Sequence, residues 1–208
     1  MYSYDTIIPF LIQTMAYDIT LEGKNLIEAE ELLRKVSRQL EKHDIEYWLE
    51  GGTLLGLRRE NRLLPWDNDI DISIHESENH KFDAFIKALK KNGFRTRTRR
   101  FDKDFPPLKN GALRMIKIRN KRFFGLLKGA VCLDIFIKYT DNEKTYWQIA
   151  DKVKNVPAKF YSSFKLISFK GNNYSVPELT DEYLTYRYGD WQTPVKNWDT
   201  AKDDNALN

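Results

Sequence analysis

The chain has 208 residues, enough for one domain with a small appendage and for a core that needs no disulfides. With 41% hydrophobic and 13% aromatic residues it is not disordered; its single cysteine, Cys132, excludes a disulfide scaffold and a cysteine-rich zinc module; and no apolar run reaches the roughly 18 residues needed to span a bilayer. The formal net charge of +4 hides a split: from Lys87 to Lys128 there are 15 basic residues against two acidic ones, so that stretch carries +13 and the remainder −9, which points to an anionic ligand.

Residues 1–23 read as an N-terminal segment packed on the core. Their apolar stretch, Ile7 to Ala16, lacks a basic n-region and follows Asp5, so it makes a poor signal peptide. A surface touching a membrane or a partner is the alternative. From Asn25 to His43 the residues Leu26, Ile27, Leu33, Val36 and Leu40 recur at helical spacing. Ile45 to Leu49 reads as a short strand, broken by Gly51-Gly52-Thr53, and Leu54 to Arg59 as a helix begun by Thr53. Asn61 to Asn68 is a loop. Ile70, Ile72 and Ile74 then alternate with Asp69, Asp71 and Ser73, the pattern of a strand with one polar face.

A second helix runs from Ser77 to about Lys91. Strands follow at Gly93 to Phe101, Ala112 to Arg119 and Ala130 to Ile137, and a hairpin at Tyr161 to Val176 turns on Gly171-Asn172. A last helix starts after Pro177 and ends at Gly189. The tail from 199 to 208 is polar and expected to fray. The result is an α+β domain, a mixed sheet flanked by helices.

Asp69 and Asp71 lie at i and i+2 of a strand, so their side chains leave the same face with α-carbons about 6.6 Å apart. Two carboxylates that close repel unless a proton or cation lies between them, and oxygen-only ligands favour Mg²⁺ or Mn²⁺. The other reading of this pair is the solvated face of an edge strand. Asp134, alone in the apolar run Val131 to Ile137, is costly to bury without a partner, and a metal shared with Asp69 and Asp71 would supply one. A hydrogen-bonding Asp at a strand end is the alternative there. Three such carboxylates suit phosphoryl chemistry. Asp67 shares the parity of Asp69 but sits in a loop beside Trp66, which suggests a supporting place for both. Gly51, Gly52 and Thr53, between a strand and a helix, could let amides approach a phosphate, although a plain strand-to-helix turn also explains them. One of Arg58 and Arg59 could clamp a phosphate.

At these residues the sequence resembles the LicD family. The run Glu50-Gly51-Gly52-Thr53-Leu54-Leu55-Gly56-Leu57-Arg58, followed by Leu64-Pro65-Trp66-Asp67-Asn68-Asp69-Ile70-Asp71, is similar to its signature, Asp134 matches its third carboxylate, and Tyr186 to Trp191 with Pro194 is similar to its C-terminal motif. The resemblance spans Lys24 to Trp198. It implies a nucleotidyltransferase-like fold over residues 24–198. It also implies transfer of a phosphorylated alcohol, such as phosphocholine or a polyol phosphate, from a CDP-linked donor to a hydroxyl of a cell-surface glycan or teichoic-acid-like acceptor, with CMP leaving. Asp69 and Asp71 would hold the metal, Asp134 would share it or take the acceptor proton, Gly51, Gly52 and Thr53 would position phosphate oxygens, and Arg58 would neutralise charge near the leaving group. Members often carry three acidic residues in a row after the Trp. Position 68 here is Asn, which strand parity turns away from Asp69 and Asp71. With a single cysteine, the chain is expected to lack the zinc-binding insertion of the fukutin-related members.

Arg95, Arg97 and Arg99 alternate with Thr96 and Thr98, and Arg114, Lys117 and Arg119 follow. They suggest a surface for an anionic acceptor or the donor diphosphate; a solvated face, or attraction to acidic lipids at the inner face of the membrane, are the alternatives. Nucleic acid is disfavoured because no base-reading motif accompanies the charge. A cytoplasmic enzyme is the expectation. A true nucleotidyltransferase releasing pyrophosphate and a non-catalytic glycan-binding domain are the competing functions.

Overall fold

The computed structural model describes residues 19–196, 198–200 and 202–207. Helix α1, Gly23–Lys42, buries Ala29, Leu32, Leu33, Val36 and Leu40, whereas Ile27, expected on that side, is exposed. After the short β1, Trp48–Leu49, helix α2 runs Gly51–Glu60. It begins three residues before the expected Leu54 because Glu50 is the cap: its carboxylate accepts from the Gly51 N–H at 3.2 Å, and the Thr53 hydroxyl is occupied elsewhere. Strand β2 is Asp69–His75. The helix expected from Ser77 is divided into a 3-10 segment, Glu76–Lys81, and α3, Phe82–Lys91. Strands β3, Phe94–Arg100, β4, Leu113–Arg122, β5, Leu127–Lys128, and β6, Cys132–Asp141, follow. The hairpin β7, Lys144–Ile149, with β8, Lys152–Pro157, was not foreseen. The second hairpin, β9, Phe164–Phe169, with β10, Asn172–Pro177, and the helix α4, Thr180–Tyr188, were.

The central strand order is β1-β2-β6-β4-β3, with β2 and β6 parallel and the other pairs antiparallel. This is the α+β class with a mixed sheet that the sequence predicts. Strand alternation gives the sheet two unlike faces. Ile70, Ile72, Ile74, Ile116, Ile118, Leu133, Ile135 and Ile137 are all buried on the face covered by α1 and α3. Each such side chain contributes about 1.5–3 kcal/mol by leaving water. The opposite parity carries Asp69, Asp71, Lys117 and Asp134. One alternating pattern thus builds the core and places the charged groups.

Of the N-terminal segment, residues 1–18 lie outside the described residues; Leu21 is buried, and its N–H donates to the Asp67 carbonyl at 2.9 Å. The tail does not fray as expected. Asp204 is buried between Lys154 and Arg187, Ala206 is buried, and Leu207 bridges to Lys154. Among the described residues no helix is long and apolar enough to cross a membrane.

Candidate functional site

The β-register aligns the charged groups. Asp71 lies opposite Asp134 on the parallel β2–β6 pair, Asp134 opposite Lys117 on β6–β4, and Lys117 opposite Arg97 on β4–β3. A single row across four strands therefore passes from carboxylate to cation. Its first three members, Asp71, Asp134 and Lys117, lie on the floor of a cavity of about 760 Å³. Asp67, Asp69, Asp71 and Asp134 line the cavity, as do Lys117, Arg99 and Arg114; Arg95, Arg97 and Arg119 are not part of its lining.

Gly51 and Gly52 are required by the carboxylates themselves. Gly51 has φ +56°, and a Cβ there would lie 2.4 Å from Asp71 Oδ2; a Cβ on Gly52 would lie 2.0 Å from Asp67 Oδ2. Any larger residue would displace the acids. Thr53 lies outside the cavity lining, and its Oγ1 accepts from the Asp71 N–H at 2.9 Å, which ties α2 to the start of β2. Asp67 Oδ1 accepts from the Asn68 N–H at 2.9 Å. Asn68, expected to point away, lines the cavity, because it precedes β2 and strand parity does not govern it.

Burial pushes Asp67 up to about 6. Burial, then repulsion from Asp67 and Asp134, pushes Asp69 up to about 8, against the partial relief of Lys117 and Arg119. Asp71 is likewise raised well above the ordinary carboxylate range by burial, then by Asp69, Asp67 and Asp134. Three neighbouring carboxyls that resist ionisation are what a desolvated, uncompensated cluster of like charges produces. Asp134 is differently placed. Its Oδ2 accepts from Lys117 Nζ and its Oδ1 from Cys132 Sγ at 3.1 Å, and burial pushes the Cys132 thiol up to about 12. Among the described residues no group of three or more histidine, cysteine or acidic side chains is arranged to hold one metal ion as it stands. The all-oxygen pair Asp69 and Asp71, short of compensating charge, is the set whose chemistry fits a hard cation.

Of the two arginines on α2, Arg58 pairs with Asp181 at 2.7 Å and is absent from the cavity lining. Arg59 lines it, pairs with Glu60, donates to the Trp191 carbonyl at 3.0 Å and lies 6.0 Å from the Trp66 ring centroid. Lys196 approaches Trp66 at 5.6 Å. Trp147, Trp191 and Trp198 also line the cavity.

A buried charge network borders the cavity, whose lining includes its members Glu50 and Arg187, and sequence reasoning missed it. Glu50 accepts from Trp48, Ser73, Tyr161, Tyr183 and Arg187, and its Oε2 lies 3.2 Å from Lys138 Nζ. Burial alone would raise its pKa, but Lys138 and Arg187, with the two tyrosine hydroxyls, hold it at about 2. Lys138, wholly buried with Nζ 3.3 Å from the Trp147 centroid, is lowered by burial to about 7. Arg187 continues the network to Asp204, and Asp204 to Lys154. The signal available was Lys138 directly after the apolar run Ile135-Phe136-Ile137, where a buried cation requires a partner.

The LicD/FKTN/FKRP nucleotidyltransferase domain matches residues 44–178. The chain belongs to this family. That span holds the two glycines and all four carboxylates, while α4 with Arg187 and the packed tail lie beyond it. Over 176 residues, 82% of this chain and 48% of the relative, it is 28% identical to an uncharacterized protein of Rickettsia typhi. Over 177 residues, 82% of this chain and 34% of the relative, it is 30% identical to the human ribitol-5-phosphate transferase FKTN. A segment of 42 residues, 20% of this chain and 16% of the relative, is 45% identical to the lipopolysaccharide cholinephosphotransferase LicD of Haemophilus influenzae. The chain thus spans about a half or less of the length of these relatives.

Proposed function

We propose that the chain is a metal-dependent transferase that moves a phosphorylated alcohol, a polyol phosphate or phosphocholine, from a CDP-linked donor to a hydroxyl of a cell-surface glycan or teichoic-acid-like acceptor. The observation that carries this reading is the register row Asp71, Asp134 and Lys117 on the cavity floor, with Asp69 beside it. Asp69 and Asp71 would hold Mg²⁺ or Mn²⁺, which when bound neutralises diphosphate charge and polarises phosphoryl oxygens. Arg59, Arg99, Arg114 and Lys117 set positive charge around the diphosphate and the departing CMP. Arg59 thereby takes the role first expected of Arg58. The tryptophans lining the cavity offer stacking faces for the base or a sugar.

Asp134 accepts the proton of the acceptor hydroxyl as that oxygen forms a bond to the phosphorus carrying the alcohol. The bond from this phosphorus to the bridging oxygen of the diphosphate breaks, and CMP departs with that oxygen. A cytoplasmic site suits a nucleotide-linked donor. The test is incubation of the purified chain with CDP-ribitol, CDP-glycerol and CDP-choline, each with Mg²⁺ and glycan acceptors. Release of CMP with transfer of the alcohol phosphate is expected. Pyrophosphate release from a nucleoside triphosphate instead would make the chain a true nucleotidyltransferase, and Mg²⁺-dependent glycan binding without turnover of any donor would make it a binding domain.

A further inference from the structure

We infer that residues 123–127, the turn between β4 and β5 with the first residue of β5, are a membrane-docking element that inserts into the surface of an anionic bilayer. Phe123, Phe124, Leu126 and Leu127 are 70%, 109%, 81% and 54% exposed. They hold four of the nine large hydrophobic side chains exposed among the described residues, gathered into five consecutive positions. Scattered exposed apolar residues are ordinary, whereas a contiguous patch marks an interaction surface. Phe123 and Phe124 both adopt the left-handed backbone region, at φ 48° and 55°, which large side chains rarely occupy. The turn therefore keeps two rings in water on a backbone that does not favour them.

The base of the same turn identifies the occupant. Lys121 and Lys128 face each other across the β4–β5 pair, Arg122 adjoins them, and all three are exposed. The base is also anchored: Lys121 Nζ donates to the Lys90 carbonyl at 2.8 Å, and Arg122 pairs with Glu28 on α1. An apolar tip with a cationic collar matches a bilayer carrying anionic headgroups, the tip entering the acyl boundary and Lys121 and Lys128 meeting the phosphates. A soluble protein partner would have to answer the collar with acidic residues placed around an apolar socket. A bilayer presents that arrangement everywhere on its surface. Phe123 lies six positions beyond Lys117 on the cavity floor, about 20 Å at strand rise. On the transferase reading above, docking would hold the cavity over acceptors carried on lipid. The docking itself does not depend on that reading.

The test is cosedimentation of the full chain with vesicles of phosphatidylcholine alone or mixed with phosphatidylglycerol. The chain is expected to pellet with the mixed vesicles, and Phe124→Asp with Leu126→Asp to weaken binding about tenfold or more, since each ring or branched chain loses its transfer from water. Lys121→Gln with Lys128→Gln should weaken binding and reduce the preference for phosphatidylglycerol. Circular dichroism should report unchanged folding in both variants, whose altered residues lie at the surface. Failure of the wild type to pellet with mixed vesicles overturns the inference. So does unaltered binding by the tip variant, which would transfer the role to another segment such as residues 1–18. A concentration-dependent dimer that Phe124→Asp abolishes would assign the patch to a second copy and equally overturn it. Loss of vesicle binding with CMP release intact would leave the transferase standing, and the converse would leave the docking element standing.

Discussion

Replacing Asp69 by Asn should stabilise the cation-free protein while removing the proposed transferase activity. Burial, with Asp67 and Asp134 nearby, pushes the Asp69 carboxyl up to about 8 from an ordinary value of 3.8. A carboxyl whose folded pKa is raised penalises folding above its unfolded pKa, and the penalty grows with pH until the folded pKa is passed. At pH 7 the gap from 3.8 is about three units, which at about 1.4 kcal/mol per unit sets a ceiling near 4 kcal/mol. Water reaches Asp69 from the cavity and the neighbouring acids share the strain, so about 2 kcal/mol is the working figure. For a chain of this size that corresponds to about 4–8 °C in Tm. Thermal unfolding in EDTA should show the wild type gaining stability as pH falls from 8 toward 5. Asp69→Asn should melt higher at pH 8 and show a shallower pH slope. Added Mn²⁺ should raise Tm in the wild type and not in the variant. A variant that melts lower than the wild type at pH 8 with an unchanged slope would refute the electrostatic reasoning.

Glu50→Gln leaves Lys138 and Arg187 buried without their shared anion, and should cost about 3–5 kcal/mol in denaturant unfolding. Glu50 and Asp204 are both held at about 2, Asp204 by Arg187 and Lys154 against the opposing effect of burial. Their lowered pKa values give stability that is present above pH 4.5 and 3.8 respectively and lost as pH falls toward 2, so acid unfolding should accelerate below pH 4 and shift upward in Glu50→Gln. Gly52→Ala should drive Asp67 from its seat, with a fall in turnover of about tenfold or more and little change in circular dichroism. Arg59→Ala should reduce turnover strongly and Arg58→Ala weakly, because only Arg59 lines the cavity; equal losses would contradict that distinction.

The elements that carry the carboxylates were legible because one rule made them so. The alternation of Ile with Asp through β2, and Asp134 alone within β6, expose both the strand period and the polar face in the same few residues. The basic face of β3 was legible for the same reason, although only Arg99 of its three alternating arginines reaches the cavity. The start of α2 was misread because a glycine pair resembles a break, when here it is the first turn of a helix that must make room for two acids. That shift of three residues also moved the choice between Arg58 and Arg59. The β7–β8 hairpin turns at Ala150, at φ 50°, without the Gly, Asn or Pro that announces such a turn. The packed tail was illegible because its polar residues reveal their partners only in three dimensions: Asp204 is held by an arginine 17 positions and a lysine 50 positions earlier.

The central claim is that Asp69 and Asp71 form the cation-dependent seat of phosphoryl transfer. The rate of CMP release from a CDP-alcohol donor tests it most directly, measured for the wild type and Asp71→Asn with Mg²⁺ and with EDTA. The wild type should release CMP only with Mg²⁺, and Asp71→Asn should release it about a thousandfold or more slowly in the presence of Mg²⁺, as expected where charge stabilisation dominates the barrier. Near-normal release by Asp71→Asn, or release by the wild type that EDTA leaves unchanged, would contradict it.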